Sequence, residues 1–562
     1  MHLHKLSLMA LLLATPAMAR SVAPEAYGSA TRAYVAGRLA QNANALEKAA
    51  QAYAAAMAQD SSHPLIKRRA FELALAAGDE KLSFRLARDL VQSPKADSTL
   101  HLVLLTQALL QKDWKVLETE SKALENSGFA TLVLPVVKAW ALEARGQRPA
   151  AIALLTVAAN DTISDSYHDE HRAYLLARNG QEAQAAQILT ALAGGSAAQD
   201  VRVRMAAAYY LQRTGRMAEA RTLLQADSAN NLILKQAIKD IASGKILAAP
   251  PADMPHGVAR LYTRLAQDLA RDRETPIALM LARLGQFMAP QPSDALITAS
   301  EMLARSGQFS TALAALAQVP EKDPLRDLVR DRRISIYEEM GERRQALSML
   351  ADKARAADSE VDDIIRYADA LRADGDPKGA LAQYDRAMAR VAQDDPRWQL
   401  WFLRGALREQ MGDWAGAEAD LRSALQRAPE EATLLNYLGY ALLDRGLKTE
   451  EAQQLIQKAH ALRPDDHFIT DSLGWSYFVR GDYERAVPLL EKAFLGTPED
   501  PTIGEHVGDA YWKVGRKLEA RYRWQAALAS FPADKQAERL KRKLDLGYDL
   551  ATAPEAAKPV AP

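Results

Sequence analysis

One kind of residue punctuates this chain at a fixed interval. A glycine, or a residue in its place, falls at Gly78, Lys112, Gly146, Gly180, Gly215, Arg273, Gly307, Gly341, Gly375, Gly412, Gly446, Gly481 and Gly515. Successive spacings are 34, 34, 34 and 35, then 58, then 34, 34, 34, 37, 34, 35 and 34. A period in this range means a stack of like supersecondary units, none of which can bury its apolar face alone. It overrides the length prior, by which 562 residues would suggest about four separate domains. Five or six residues past these points stands a small residue, as at Ala151, Ala185, Ala220, Ala278, Ala312, Ala346, Ala380, Ala417, Ala452, Ala486 and Ala520. Abundant Ala with Leu, Glu, Arg, Lys and Gln favours helix in each unit.

The last four units add a second glycine seven residues before the turn, at Gly405, Gly439, Gly474 and Gly508, and each closes on a proline, at Pro429, Pro464, Pro498 and Pro532. Small residues let two antiparallel helices approach. The turn glycine accepts the left-handed backbone that ends a helix, and proline stops the second helix. The full pattern reads Leu438-Gly439…Leu442…Ala452…Ile456…Ala459…Pro464, then Leu473-Gly474…Tyr477…Ala486…Leu490…Ala493…Pro498, then Val507-Gly508…Tyr511…Ala520…Trp524…Ala527…Pro532. These residues resemble the tetratricopeptide repeat, over roughly residues 36–533. The resemblance implies an all-α, right-handed superhelical solenoid of tetratricopeptide helix–turn–helix pairs, about 13 repeats in two segments.

The 58-residue interval exceeds one repeat by 24 and holds Gly244, Pro250, Pro251, Pro255 and Gly257. A hinge is expected at 244–257. It would separate a degenerate N-terminal segment, 20–243, from a C-terminal segment, 258–533, whose best-formed repeats are 398–533. In the N-terminal segment Asn44 and Lys112 stand where turn glycines belong. A polar capping helix, 534–550, and an Ala/Pro-rich disordered tail, 551–562, complete the expected organisation.

The N-terminus reads as an address. MHLHK is followed by a nine-residue run, Leu6–Ala14, apolar but for Ser7, by the breakers Thr15 and Pro16, and by Ala17-Met18-Ala19. This is the pattern of a signal peptide (1–19) cut after Ala19, and nine residues are far short of the roughly 20 that span a bilayer. The expectation is a periplasmic protein that does not span the membrane. Cysteine is absent, so disulfides, thiolate zinc sites, thiol catalysis and a lipidated N-terminal cysteine are excluded.

The remaining chemistry is sparse. Lys+Arg and Asp+Glu are both 71, which removes any whole-molecule electrostatic case for nucleic acid. His168-Asp169-Glu170-His171 lacks the H-E-x-x-H spacing that brings two histidines to one helical face. There is no phosphate-binding loop, dinucleotide fingerprint or nucleophile elbow. No catalytic residue, cofactor or metal is expected.

What the resemblance implies is a binding surface. In this family certain first-helix positions line the groove that takes peptides or partner proteins. In this register they are Phe402, Glu409 and Gln410; Asn436, Tyr440, Leu443 and Asp444; Phe468, Asp471, Trp475 and Phe478; and Glu505, Asp509, Trp512 and Lys513. Tyr440 and Trp475 stand where carboxylate-clamping members carry Asn, which argues against a chaperone-type partner. The block LNYLGYALLDRG…ITDSLGWSYFVRGDYERAVPLLEKA…EHVGDAYWKVGRKLEARYRWQAAL is similar to bacterial envelope tetratricopeptide proteins, among them periplasmic adaptors that deliver substrates to carboxy-terminal processing proteases. Those adaptors are lipoproteins, so their anchoring does not carry over. The expected function is an exported scaffold for protein or peptide partners, with a helper of polysaccharide or outer-membrane secretion as the alternative.

Overall fold

The computed structural model describes residues 29–60, 64–92, 97–128, 131–156, 162–195, 197–226, 231–272, 276–291, 293–357, 359–392 and 395–552. The expected signal peptide, Arg273 and the tail beyond residue 552 lie outside them. Every regular element among the described residues is an α-helix. Antiparallel pairs follow one another, as in Ser98–Gln111 with Trp114–Leu124, or His467–Val479 with Tyr483–Gly496.

The punctuation residues do what their spacing demands. The turn glycines have φ between 64° and 87°, and the two substitutes, Asn44 and Lys112, take φ of 55° and 53°. The small residues that follow are buried, with Ala151, Ala278, Ala417 and Ala486 fully so. A side chain at Gly474 would begin 2.7 Å from Leu490, and one at Gly439 would begin 2.7 Å from Ile456. Each pair is therefore held at the distance its glycine permits, and the leucines between pairs fill the remaining space.

The chain divides into two compact units, residues 1–346 and 347–562. The expected hinge at 244–257 falls inside the first of them. The long interval instead holds a strap that ends near Asp253 and a 19-residue helix, Met254–Asp272. That helix lies against the first helices of its own unit. Gly257 abuts the fully buried Trp140 ring, Tyr262 bonds Thr106 at 3.1 Å, and Arg260 pairs with Glu170 and Asp200, each at 2.6 Å. The next helix, Pro276–Met288, reaches further back, with Arg283 donating to the Ala76 carbonyl and Phe287 packing edge-on to Phe84. Sequence on both sides of 244–257 therefore shares one core.

This packing also accounts for the His168–His171 cluster. Glu170 is fully buried and accepts from Arg260, Arg264 and Tyr174, while His171 Nδ1 accepts from Trp140 Nε1 at 3.1 Å. Burial pushes the His171 imidazole down to about 3, so it is a neutral acceptor.

Candidate protein-binding face

In the second unit the first helices Trp398–Gln410, Ala432–Asp444, His467–Val479 and Pro501–Lys513 come from successive repeats. The starts of the last three are set by acids that accept from free backbone N–H groups: Glu431 from Thr433, Asp466 from Phe468 and Ile469, and Asp500 from Thr502 and Ile503. The helix Asp534–Leu546 follows the last pair and stands where a further first helix would. Arg539 and Lys543 trail Glu505 and Asp509 by 34 residues and meet them at 2.8 and 2.6 Å.

The cap therefore occupies part of the expected groove. Glu505 is buried and takes Gln536, Arg539 and Lys543. Asp509 is buried and takes Lys543 and the Trp524 indole at 2.9 Å. Trp512 and Lys513 both donate to Asp549, at 2.8 and 2.6 Å. These four residues are committed to the chain's own C-terminus. Phe478 joins them, buried against Tyr483 and Tyr548.

The rest of the face is different. Trp475 is stacked between Phe478, at 4.6 Å, and His506, at 3.9 Å, and Tyr440 tilts against the same imidazole. Asp471 is buried and holds His506 Nδ1 at 2.9 Å. Neither the Tyr440 hydroxyl nor the Trp475 indole N–H has a hydrogen-bond partner among the described residues. The Asn436 side-chain amide oxygen is buried and has no hydrogen-bond partner among the described residues. Asp444 is exposed and has no ion pair among the described residues, and Phe468 is 56% exposed. Burial, then Asp471 and Asp444, push the Tyr440 phenol up, so it stays a donor. Phe402 is half-buried against Trp398 and Tyr437 and serves packing. Glu409 is spent on Arg445.

His506 is the residue that the sequence did not single out. Burial works against its charge, but Asp471, then Asp509 and Glu505, carry it above the usual histidine value. Burial raises Asp509 to about 6, against the pull of Lys543. Burial also opposes charge on Glu505, yet Arg539 and Lys543 hold it down at about 2. Asp509 and His506 each bind a proton more tightly folded than unfolded. Their stabilisation is complete at low pH and is lost as pH rises, from about 4 to 6 for Asp509 and through the raised histidine value for His506. Glu505 works oppositely, but only below about 4.5. The urea midpoint of the second unit should therefore fall as pH rises from about 5 to 8, and His506→Gln should flatten that slope. A rising midpoint would contradict the assignment.

The tetratricopeptide repeat profile matches residues 402–467 and 472–535, the stretch that builds this face. The chain carries tetratricopeptide repeats. A TPR repeat-containing protein of Pseudomonas aeruginosa is 41% identical over 110 residues, which are 20% of this chain and 18% of that protein's length. A tetratricopeptide repeat protein from Parabacteroides merdae aligns with TM-score 0.36 and 19% identity, over 45% of this chain and 97% of its own. The pilF structure of Pseudomonas aeruginosa aligns with TM-score 0.28 and 19% identity, over 33% and 82%. Tetratricopeptide repeats suggest protein partners, and the fold is typically a non-catalytic scaffold. No helix among the described residues is long and apolar enough to cross a membrane.

Proposed function

We propose that this tetratricopeptide chain is an exported, non-catalytic adaptor that binds segments of partner proteins in the bacterial envelope. The supporting observation is the row Asn436, Tyr440, Asp444 and Trp475, which carries polar groups with no partner among the described residues beside a stacked aromatic shelf. A buried amide oxygen without a partner is costly, so Asn436, beside the partly exposed polar groups of Tyr440 and Trp475 and the exposed Asp444, favours a ligand that supplies a donor there. Export rests on the MHLHK…Ala17-Met18-Ala19 leader, and delivery of substrates to a periplasmic protease is the finer form of the reading.

Two measurements test it. A reporter active only outside the cytoplasm should work when fused to this chain, and the mature N-terminus should be Arg20. Intact Met1 on cytoplasmic protein would reject export. Affinity capture from envelope extract should yield a partner whose binding weakens by about 2 kcal/mol or more in Tyr440→Ala and Trp475→Ala. The melting transition should move little, because neither side chain is fully buried. If capture per folded molecule is unchanged, this face is not the binding site.

A further inference from the structure

The first unit contains a second feature that the adaptor reading does not use. Between the end of the helix Leu232–Ala242 and the start of Met254–Asp272 the chain runs as a strap over the first helix Val201–Arg213. The strap is fastened at both ends. Gln212 donates to the Lys245 carbonyl at 2.7 Å and accepts from the Leu247 N–H at 3.0 Å, and the Leu247 side chain is buried. At the far end Arg178 donates to the Ala252 carbonyl. Between these fastenings Ala248, Ala249, Pro250 and Pro251 do not settle onto the helices. They form one wall of a cavity of about 520 Å³.

The opposite walls are apolar, built from Met205, Ala206, Ala259, Ala295, Pro324 and Leu325. The ionic groups that also line it are already matched. Arg202 meets Asp294 at 2.6 Å, Arg260 meets Glu170 and Asp200 at 2.6 Å, and His256 meets Asp253 at 2.6 Å. Asp323 accepts from Ser293 at 2.7 Å and from the Leu325 N–H at 2.8 Å. A charged ligand would give up its hydration here and find no unmatched counter-charge, whereas an apolar one loses nothing polar on entry. The backbone N–H and carbonyl groups of Ala248 and Ala249 bond no other described residue, which leaves hydrogen-bond positions on the strap. The volume falls in the range of roughly 300–1,000 Å³ typical of pockets for small molecules.

We propose that this cavity is a binding site for one small, uncharged and mainly apolar molecule, held between the strap and the first helices of the first unit. Selectivity comes from the pairing of the lining charges, and the strap supplies both a wall and the polar contacts that orient the ligand. The site is independent of the face in the second unit.

The test is a fluorescence titration of the full chain with the uncharged dye phenylnaphthylamine and with its anionic relative anilinonaphthalene sulfonate. The uncharged dye should bind saturably at about one per chain, and the anionic one roughly tenfold or more weakly. Ala248→Trp places a ring from an exposed strap position into the cavity, and Met205→Trp fills it from the helix side. Each should weaken the uncharged dye by roughly tenfold or more while the melting transition holds. Gln212→Ala removes the fastening at Lys245 and Leu247 and should weaken it as well. Non-saturable binding, equal affinity for the anionic dye, or unchanged affinity in both filled variants would overturn the proposal.

Discussion

Glu170→Ala should cost the first unit about 3–5 kcal/mol, the scale of breaking a buried ion pair from one side. The carboxylate is fully buried and anchors two guanidinium groups, Arg260 at 2.6 Å and Arg264 at 2.6 Å, whose side chains are 8% and 4% exposed. Removing it leaves Asp200 as the one buried carboxylate for both cations, and the Tyr174 hydroxyl loses its acceptor. Against a usual folding stability of about 5–15 kcal/mol this is a large fraction. Urea denaturation of the full chain should show an early transition, and amides of Met254–Asp272 should lose exchange protection first. Glu219→Ala, at a solvent-exposed pair with Arg216, should leave that transition in place. Burial works against charge on Glu170, but Arg260 and Arg264 keep it ionised well below the usual carboxylate range. Its stabilisation is therefore present at neutral pH and disappears on strong acidification.

Trp524→Ala should cost the second unit a similar amount, about 3–5 kcal/mol. The indole is fully buried, its N–H satisfies the buried Asp509, and its ring lies against Gly508, where no side chain could fit. The alanine leaves both a cavity and a carboxylate that depends on Lys543 alone. Trp512→Ala should follow more weakly, by loosening the contact with Asp549 and Gly547 that seats the C-terminus. Trp475→Ala is the contrast: a change of partner binding with little change in melting. Calorimetry of the three variants separates these outcomes, and a Trp475 variant that melts as early as the Trp524 variant would class Trp475 as core.

The repeat was legible because it is written in residues with local physics. A left-handed turn selects glycine, a close helix approach selects alanine, and a period of 34 repeats both. Asn44 and Lys112 were recognisable as glycine substitutes by position alone, and their positive φ follows from the same turn. The connector was less legible because Pro and Gly report only that a helix is interrupted, not whether the interruption is free or tied down. Gln212 and Arg178, which fasten it, are distant in sequence and ordinary in type. Nothing in the composition of 254–272 announces that its arginines face Glu170 and Asp200.

At the C-terminal end a signal was present. Stepping by one repeat from Asn436 gives Asp471, Glu505 and Arg539, and from Tyr440 gives Trp475, Asp509 and Lys543. Two acids followed one period later by two bases mark pairing between neighbouring first helices, rather than an acidic surface waiting for a ligand. His506 was harder, since its role depends on Asp471 from one repeat and Trp475 from the same repeat meeting one imidazole.

The strap and the helix behind it change how the first unit can acquire its structure. In a simple repeat array each pair touches only its sequence neighbours, so folding can begin anywhere and spread. Here Thr106 waits for Tyr262, 156 residues later, Ala76 for Arg283, 207 later, and Asn44 for Gln308, 264 later. Loop closure over such distances has to precede the contacts that reward it, which slows folding. A chain emerging N-terminus first presents residues 98–213 with their inner surface bare until 254–272 arrives. During that interval the early repeats are a nascent intermediate with exposed apolar surface, which makes the newly made first unit aggregation-prone until the helix arrives.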